Sequence, residues 1–238
     1  MSDAEAAAQV ERPARVLRIS DEAPGITTVR LSVAEDFAFR PGMWVMLQFP
    51  DRAEKANAYS ISSSPFEKGY IEFSFANVGP FTHRLAAARE GDSLLLRGAF
   101  GKWFYRDEAR RAVLVSDGTG IAPYRAMARY VLDKKLPNEL TLLCSAKTPE
   151  AFIYKADLEK FSKAGIKVYK TITHGDWDGP TGPIGIGVIE REVRDFKDAH
   201  YYLCGPKALV EGLTNDLLAR GVAREQLHYE KWGDYAWL

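Results

Sequence analysis

The sequence predicts a β plus α/β chain, with an antiparallel barrel of short strands over its first hundred residues and a parallel sheet with crossover helices after it. Three observations carry this reading. Up to about Tyr105, apolar runs of strand length are punctuated by glycine and proline. Beyond Arg110, similar runs alternate with helix-length segments. One of these later runs, Val113 to Ser116, feeds straight into the turn Asp117-Gly118-Thr119-Gly120. At 238 residues the chain is long enough for two modest domains, each burying its own core.

In the first part the expected strands are Ala14–Ser20, Ile26–Ser32, Trp44–Phe49, Ala58–Ile61, Tyr70–Ala76 and Ser93–Arg97. Strands so closely spaced suggest an antiparallel barrel. One helix, Phe81–Arg89, is expected here, following the Gly79-Pro80 turn. In the second part the expected strands are Ala112–Ser116, Leu140–Ser145, Ile166–Ile172, Tyr201–Cys204 and Gln226–Tyr229. Helices are expected near Ile121–Asp133, Ile153–Ala164, Val188–Val193 and Lys207–Ala219. The boundary falls at Arg106–Arg110, giving domains of residues 12–108 and 109–238.

Composition narrows the function classes. The formal net charge is zero and the longest basic runs are pairs such as Arg110-Arg111 and Lys134-Lys135, so nothing marks a nucleic-acid surface. Met1 to Gln9 is small and acidic and does not read as a secretory signal. No apolar run approaches the roughly 20 residues of a membrane span, and a cytoplasmic protein is expected. The two cysteines, Cys144 and Cys204, are too few for a four-thiolate iron–sulfur cluster and are not spaced as a metal site, so no metal is expected in this chain.

Ligands of parallel sheets sit at the carboxyl ends of the strands, where Gly118, Ser145, His174 and Cys204 fall. Gly118 and Gly120 would let the backbone approach a pyrophosphate, with Thr119 between them and the first amides of the next helix facing it; such a turn can also simply join strand to helix. Asp117 reads as a turn residue, because a second anion would repel phosphate. In the first part, Tyr59 and Ser60 point to opposite faces unless the strand bends. Thr82 suits either a helix cap or a phosphate contact.

The segments Asn57-Ala58-Tyr59-Ser60-Ile61-Ser62-Ser63, Gly79-Pro80-Phe81-Thr82 and Cys204-Gly205-Pro206 resemble, in order and spacing, those of the ferredoxin–NADP reductase family. Arg40-Pro41-Gly42, Glu90-Gly91-Asp92 before Leu94-Leu95-Leu96, Gly98-x-x-Gly101 ahead of Phe104, and Tyr229-Glu230-Lys231-Trp232 extend the likeness over nearly the whole chain. The resemblance implies a Greek-key flavin barrel joined to a Rossmann-like domain for NADP or NAD. Electrons would pass through FAD to a separate one-electron carrier such as ferredoxin, flavodoxin or an oxygenase component. A flavin-bearing relay or regulatory subunit without nicotinamide turnover is the alternative.

The resemblance also implies roles. Tyr59 would lie against the flavin ring and the Ser60 hydroxyl would reach its N5 edge; Asn57, Ala58, Gly79, Phe81 and Thr82 would border its phosphates. Gly118, Thr119 and Gly120 would hold the nicotinamide dinucleotide, with Cys204, Gly205 and Pro206 near its reactive ring. Ser145 and Lys147 would meet a 2′-phosphate, which leans toward NADPH. Glu230 would stand near the flavin with Trp232 over it, Trp237 being the competing ring. One position departs from the pattern. The family's arginine two residues before the tyrosine is Asn57 here, which removes a charge unless Lys55, Arg52 or Arg84 supplies one.

Overall fold

The computed structural model describes residues 9–231. By internal contacts the chain divides into a first unit running to Tyr105 together with Arg125–Asp133, and a second unit of Arg106–Tyr124 and the residues from Lys134 onward.

The first unit holds β1 (Arg12–Ala23), β2 (Ile26–Ser32), β3 (Trp44–Gln48), β4 (Asn57–Ser60), β5 (Tyr70–Ala76) and β6 (Ser93–Phe100), with α1 (Pro80–Ala86) before β6. The strands pair antiparallel in the order β4-β3-β6-β1-β2-β5. The two edges are sewn together just past β4: Ser62 N–H donates to Glu72 O at 2.7 Å, and Glu72 N–H donates to Ser63 Oγ at 3.0 Å. The sheet therefore closes into a barrel, which removes its exposed edges. Alternating residues fill the interior, among them Val29, Leu31, Val45, Leu47, Ile71, Phe73, Leu94 and Leu96.

Two of the sequence motifs turn out to brace one another inside this unit. Gly42 has φ of +108°, and a Cβ there would lie 2.8 Å from Trp103 O and 3.0 Å from Phe104 Cα. No side chain fits such a spot, so the glycine is required by close backbone approach. Tyr105 N–H donates to Pro41 O at 2.9 Å, and the Arg40 guanidinium lies 3.5 Å over the Phe104 ring. Arg40-Pro41-Gly42 and Phe104 are thus a structural clasp.

The second unit holds β7 (Arg111–Asp117), β8 (Glu139–Ala146), β9 (Lys167–Ile172), β10 (His200–Gly205) and β11 (Leu227–Lys231), all parallel, in the order β11-β10-β7-β8-β9. The connections contain α2 (Ala122–Asp133), α3 (Lys155–Lys163), α4 (Ile186–Glu192) and α5 (Lys207–Ala219). Both sides of β7, β8 and β10 are buried, as a doubly covered parallel sheet requires. The later residues of α2 group with the barrel because Arg125 and Arg129 carry ion pairs to Glu72 and Glu67, and Ser64 Oγ donates to Asp133 at 2.6 Å. Among the described residues no helix is long and apolar enough to cross a membrane.

Candidate functional site

In the first unit, the turn before β4 and the start of α1 line a single cleft of about 410 Å³, bounded by Ala53, Glu54, Lys55, Asn57, Val78, Gly79, Pro80, Phe81 and Thr82. Two motifs more than twenty residues apart in sequence therefore share one cavity. Its rim carries Val78, which is 82% exposed, an apolar side chain left to solvent beside the polar turn.

The chemistry of the wall is specific. Thr82 Oγ accepts from the Val78 and Gly79 amides at 3.0 and 2.9 Å and donates to Gly79 O at 3.0 Å. Its hydroxyl is committed to the turn, so of the two readings of Thr82 the cap is the one the structure displays. Asn57 Nδ2 likewise donates to Lys55 O at 2.9 Å, fixing the opposite wall. Arg52 is paired with Glu11 at 2.6 Å. Arg84 is paired with Asp51 at 2.7 Å and Glu54 at 2.9 Å, its guanidinium 3.8 Å over the Phe49 ring. Lys55 lines the cleft, is exposed, and has no carboxylate partner among the described residues.

Strand alternation settles where Tyr59 goes. Its ring is 9% exposed and packs against Phe73, Phe75 and Phe81 at centroid distances of 5.0, 5.6 and 6.2 Å. Far from presenting an open face, it belongs to the barrel core, while Ser60, half-buried, points the other way. The Tyr59 hydroxyl is buried without a hydrogen-bond partner among the described residues, and burial pushes its ionisation well above the usual tyrosine range. An unpaired buried hydroxyl costs about 1–3 kcal/mol.

In the second unit, β7 enters the turn at Gly118, where φ is +52°, and a single 3₁₀ turn over Gly118–Ile121 leads into α2. Gly205 ends the adjacent strand β10, and Pro206 caps α5. Register aligns Lys170, Cys144, Ser116, Cys204 and Glu230 across five strands near their carboxyl ends. The sequence named Cys204 and Glu230 separately, and the sheet makes them neighbours. Ser116 was not singled out by sequence. Its hydroxyl is buried between the two cysteines without a partner among the described residues, and the only trace in sequence is a polar residue closing an apolar strand. Cys204 is 1% exposed. Cys144 is buried too, and burial pushes its thiol up to about 12.

Ser145 lies near the carboxyl end of β8 and finds a partner within the protein. It is 6% exposed, and its Oγ donates to Asp117 Oδ1 at 2.6 Å, so its hydrogen is already held by a carboxylate. Asp117 closes β7, and its carboxylate makes no capping hydrogen bond to the turn that follows. Lys147 stays at the strand end, where His174 N–H donates to its carbonyl at 2.8 Å and ties two loops together. Trp232 and Trp237 lie outside the described residues.

Comparison with known proteins matches residues 17–105 to the model of an oxidoreductase FAD-binding domain and residues 114–215 to that of an oxidoreductase NAD-binding domain. The chain belongs to the ferredoxin–NADP reductase-like family. A relative in the family, the reductase component of the naphthalene 1,2-dioxygenase system of Pseudomonas putida, is 28% identical over 92% of this chain and 70% of its own length. A ferredoxin–NAD(P)+ reductase of Metapseudomonas resinovorans is 26% identical over 91% of this chain and 68% of its own. Among solved structures, the ferredoxin reductase of carbazole 1,9a-dioxygenase superposes with a TM-score of 0.84 at 24% identity, covering 94% of this chain and 69% of that one, and shares the two-domain fold. The chain spans 57 to 70% of the length of eight curated relatives that it matches.

The first unit is therefore the family's FAD-binding domain, and its cleft fits the group. It has room for a diphosphate between two turns, one cation in Lys55 and an apolar rim in Val78.

Proposed function

We propose that this protein is a reductase that draws electrons from NAD(P)H and delivers them singly, by way of FAD, to a separate acceptor protein such as ferredoxin, flavodoxin or an oxygenase component. The observation that carries the reading is the cleft shared by Asn57 and Gly79–Thr82, in the domain that matches the FAD-binding model. We take residues 12–108 as the flavin domain and 109–238 as the nucleotide domain. Relatives that are reductase components of oxygenase systems support a separate acceptor. The two buried cysteines, neither in a disulfide, suit a cytoplasmic setting.

When bound, FAD supplies two-electron uptake and one-electron release. The chain's residues would do the rest. Ser60 offers a hydroxyl able both to donate and to accept at the flavin N5 edge. Gly118, Thr119 and Gly120 bring backbone amides to the nicotinamide dinucleotide, and Gly205 keeps the neighbouring strand end clear. Cys204 and Glu230, which are adjacent in register, are the residues assigned here to the neighbourhood of the reacting ring. Because Ser145 is held by Asp117, any 2′-phosphate selection falls to Lys147, and both NADPH and NADH are carried as donors.

The test is the absorption spectrum of the purified protein followed by anaerobic addition of each reduced nucleotide. A yellow protein bleached by NADPH or NADH is expected. A yellow protein bleached by neither would favour a relay subunit, and a colourless protein that takes up no added FAD would overturn the flavin reading.

A further inference from the structure

We infer that Lys55 supplies the positive charge for the flavin diphosphate, a task that the arginine at the Asn57 position performs in the family. The inference rests on the flavin reading and adds to it the residue that sets affinity for phosphorylated flavins. It follows by elimination among four candidate side chains, of which Asn57 and Lys55 line the cleft. Asn57 carries no charge, and its Nδ2 is engaged by Lys55 O at 2.9 Å. Arg52 is taken by Glu11 at 2.6 Å and does not line the cavity. Arg84 is held by two carboxylates, Asp51 and Glu54, and is flattened on Phe49. Moving it toward a phosphate would break both pairs.

Lys55 meets none of these obstacles. It lines the cleft opposite the Gly79–Thr82 turn and has no acidic partner among the described residues. The hydrogen bond from Asn57 to its carbonyl fixes its backbone, while its long side chain remains able to reach an anion. Glu54, the nearest acid lining the cleft, is neutralised by Arg84, so the local field at the cavity is set by Lys55. The Asp51–Arg84–Glu54 cluster thereby has a purpose: it removes the competing charge from the wall and holds the loop that presents the lysine.

A compact ammonium on an exposed loop interacts with phosphate as a point charge, and salt screens it. Flavin binding should therefore weaken with ionic strength more steeply than if a buried bidentate guanidinium held it.

The experiment uses the full chain stripped of flavin, with affinity read from quenching of flavin fluorescence. Lys55→Gln should raise the FAD dissociation constant about tenfold, flatten its salt dependence, and leave riboflavin, which has no phosphate, unchanged. Adding Asn57→Arg to Lys55→Gln should restore FAD affinity. Arg52→Gln should change nothing. Thermal melting without flavin should coincide for all variants, since the substituted side chains are exposed or half-buried. Equal FAD affinity in wild type and Lys55→Gln, or an equal loss for riboflavin, would overturn the inference. Failure of the wild type to bind FAD at all would instead overturn the flavin reading beneath it.

Discussion

Replacing Arg125 by methionine probes a deeply buried charge network. Arg125 Nη1 lies 2.6 Å from Glu72 Oε2, with only 9% and 8% of the two side chains exposed. The other Glu72 oxygen accepts from Arg30 Nη2 at 2.8 Å and Nε at 3.0 Å. Burial pushes the Glu72 carboxyl up, but the Arg125 charge and hydrogen bonds from both arginines bring it below its ordinary value. Methionine fills much of the arginine stem's volume without its charge, so the loss is electrostatic and not a cavity. Breaking a buried pair costs about 3–5 kcal/mol; with Arg30 still holding one oxygen, about 2–4 kcal/mol is expected here.

The pH dependence supplies the sign. In the wild type the folded-state value of Glu72 is depressed, so its contribution is present above the ordinary carboxylate range and is lost as pH falls through the folded value. In Arg125→Met the folded value rises, because burial is then opposed only by Arg30 and by Arg129, which stands 4.0 Å away. The penalty is thus full at neutral pH and shrinks as acid protonates Glu72. Urea unfolding at pH 7 and at pH 4.5 measures both. A variant within about 1 kcal/mol of wild type at pH 7, roughly the smallest loss that such unfolding curves resolve, would refute the argument. So would a loss of equal size at both pH values.

Four other outcomes are expected. Gly205→Ala should weaken nucleotide binding and cost about 1 kcal/mol or more of stability, because φ is +154° and the added Cβ meets Leu209 Cδ2 at 3.3 Å; calorimetry with either nucleotide, alongside melting, checks this. Ser145→Ala should leave the NADPH to NADH preference unchanged, since its hydroxyl serves Asp117, whereas Lys147→Gln should lower NADPH affinity selectively; steady-state kinetics with both donors separates them. His228 is depressed to about 4 from the usual 6.5, by burial first and then by the Arg106 and His200 charges. Between those values the unfolded chain binds a proton that the folded chain does not, so stability should fall as pH drops from 6.5 toward 4, and His228→Gln should flatten that fall in thermal melts. Ser60→Ala should slow flavin reduction without abolishing flavin binding, and an unchanged stopped-flow rate would remove Ser60 from the reaction.

The order of strands and helices was legible because periodicity is a local property: Ile26–Ser32, Tyr70–Ala76 and Lys207–Ala219 are bounded by residues that stop their elements chemically. The glycine turn after β7 and the family motifs were legible for a similar reason, since backbone approach demands glycine wherever it occurs. What no local pattern carries is which partner a side chain finds. Only the closed barrel turns Tyr59 inward onto three phenylalanines, and only the register of β7 with β8 hands the Ser145 hydroxyl to Asp117. Charges are the extreme case. Arg52, Lys55 and Arg84 read alike in the sequence, yet folding gives two of them carboxylates and leaves Lys55 facing the cleft, because attraction depends on distances that only the tertiary structure sets.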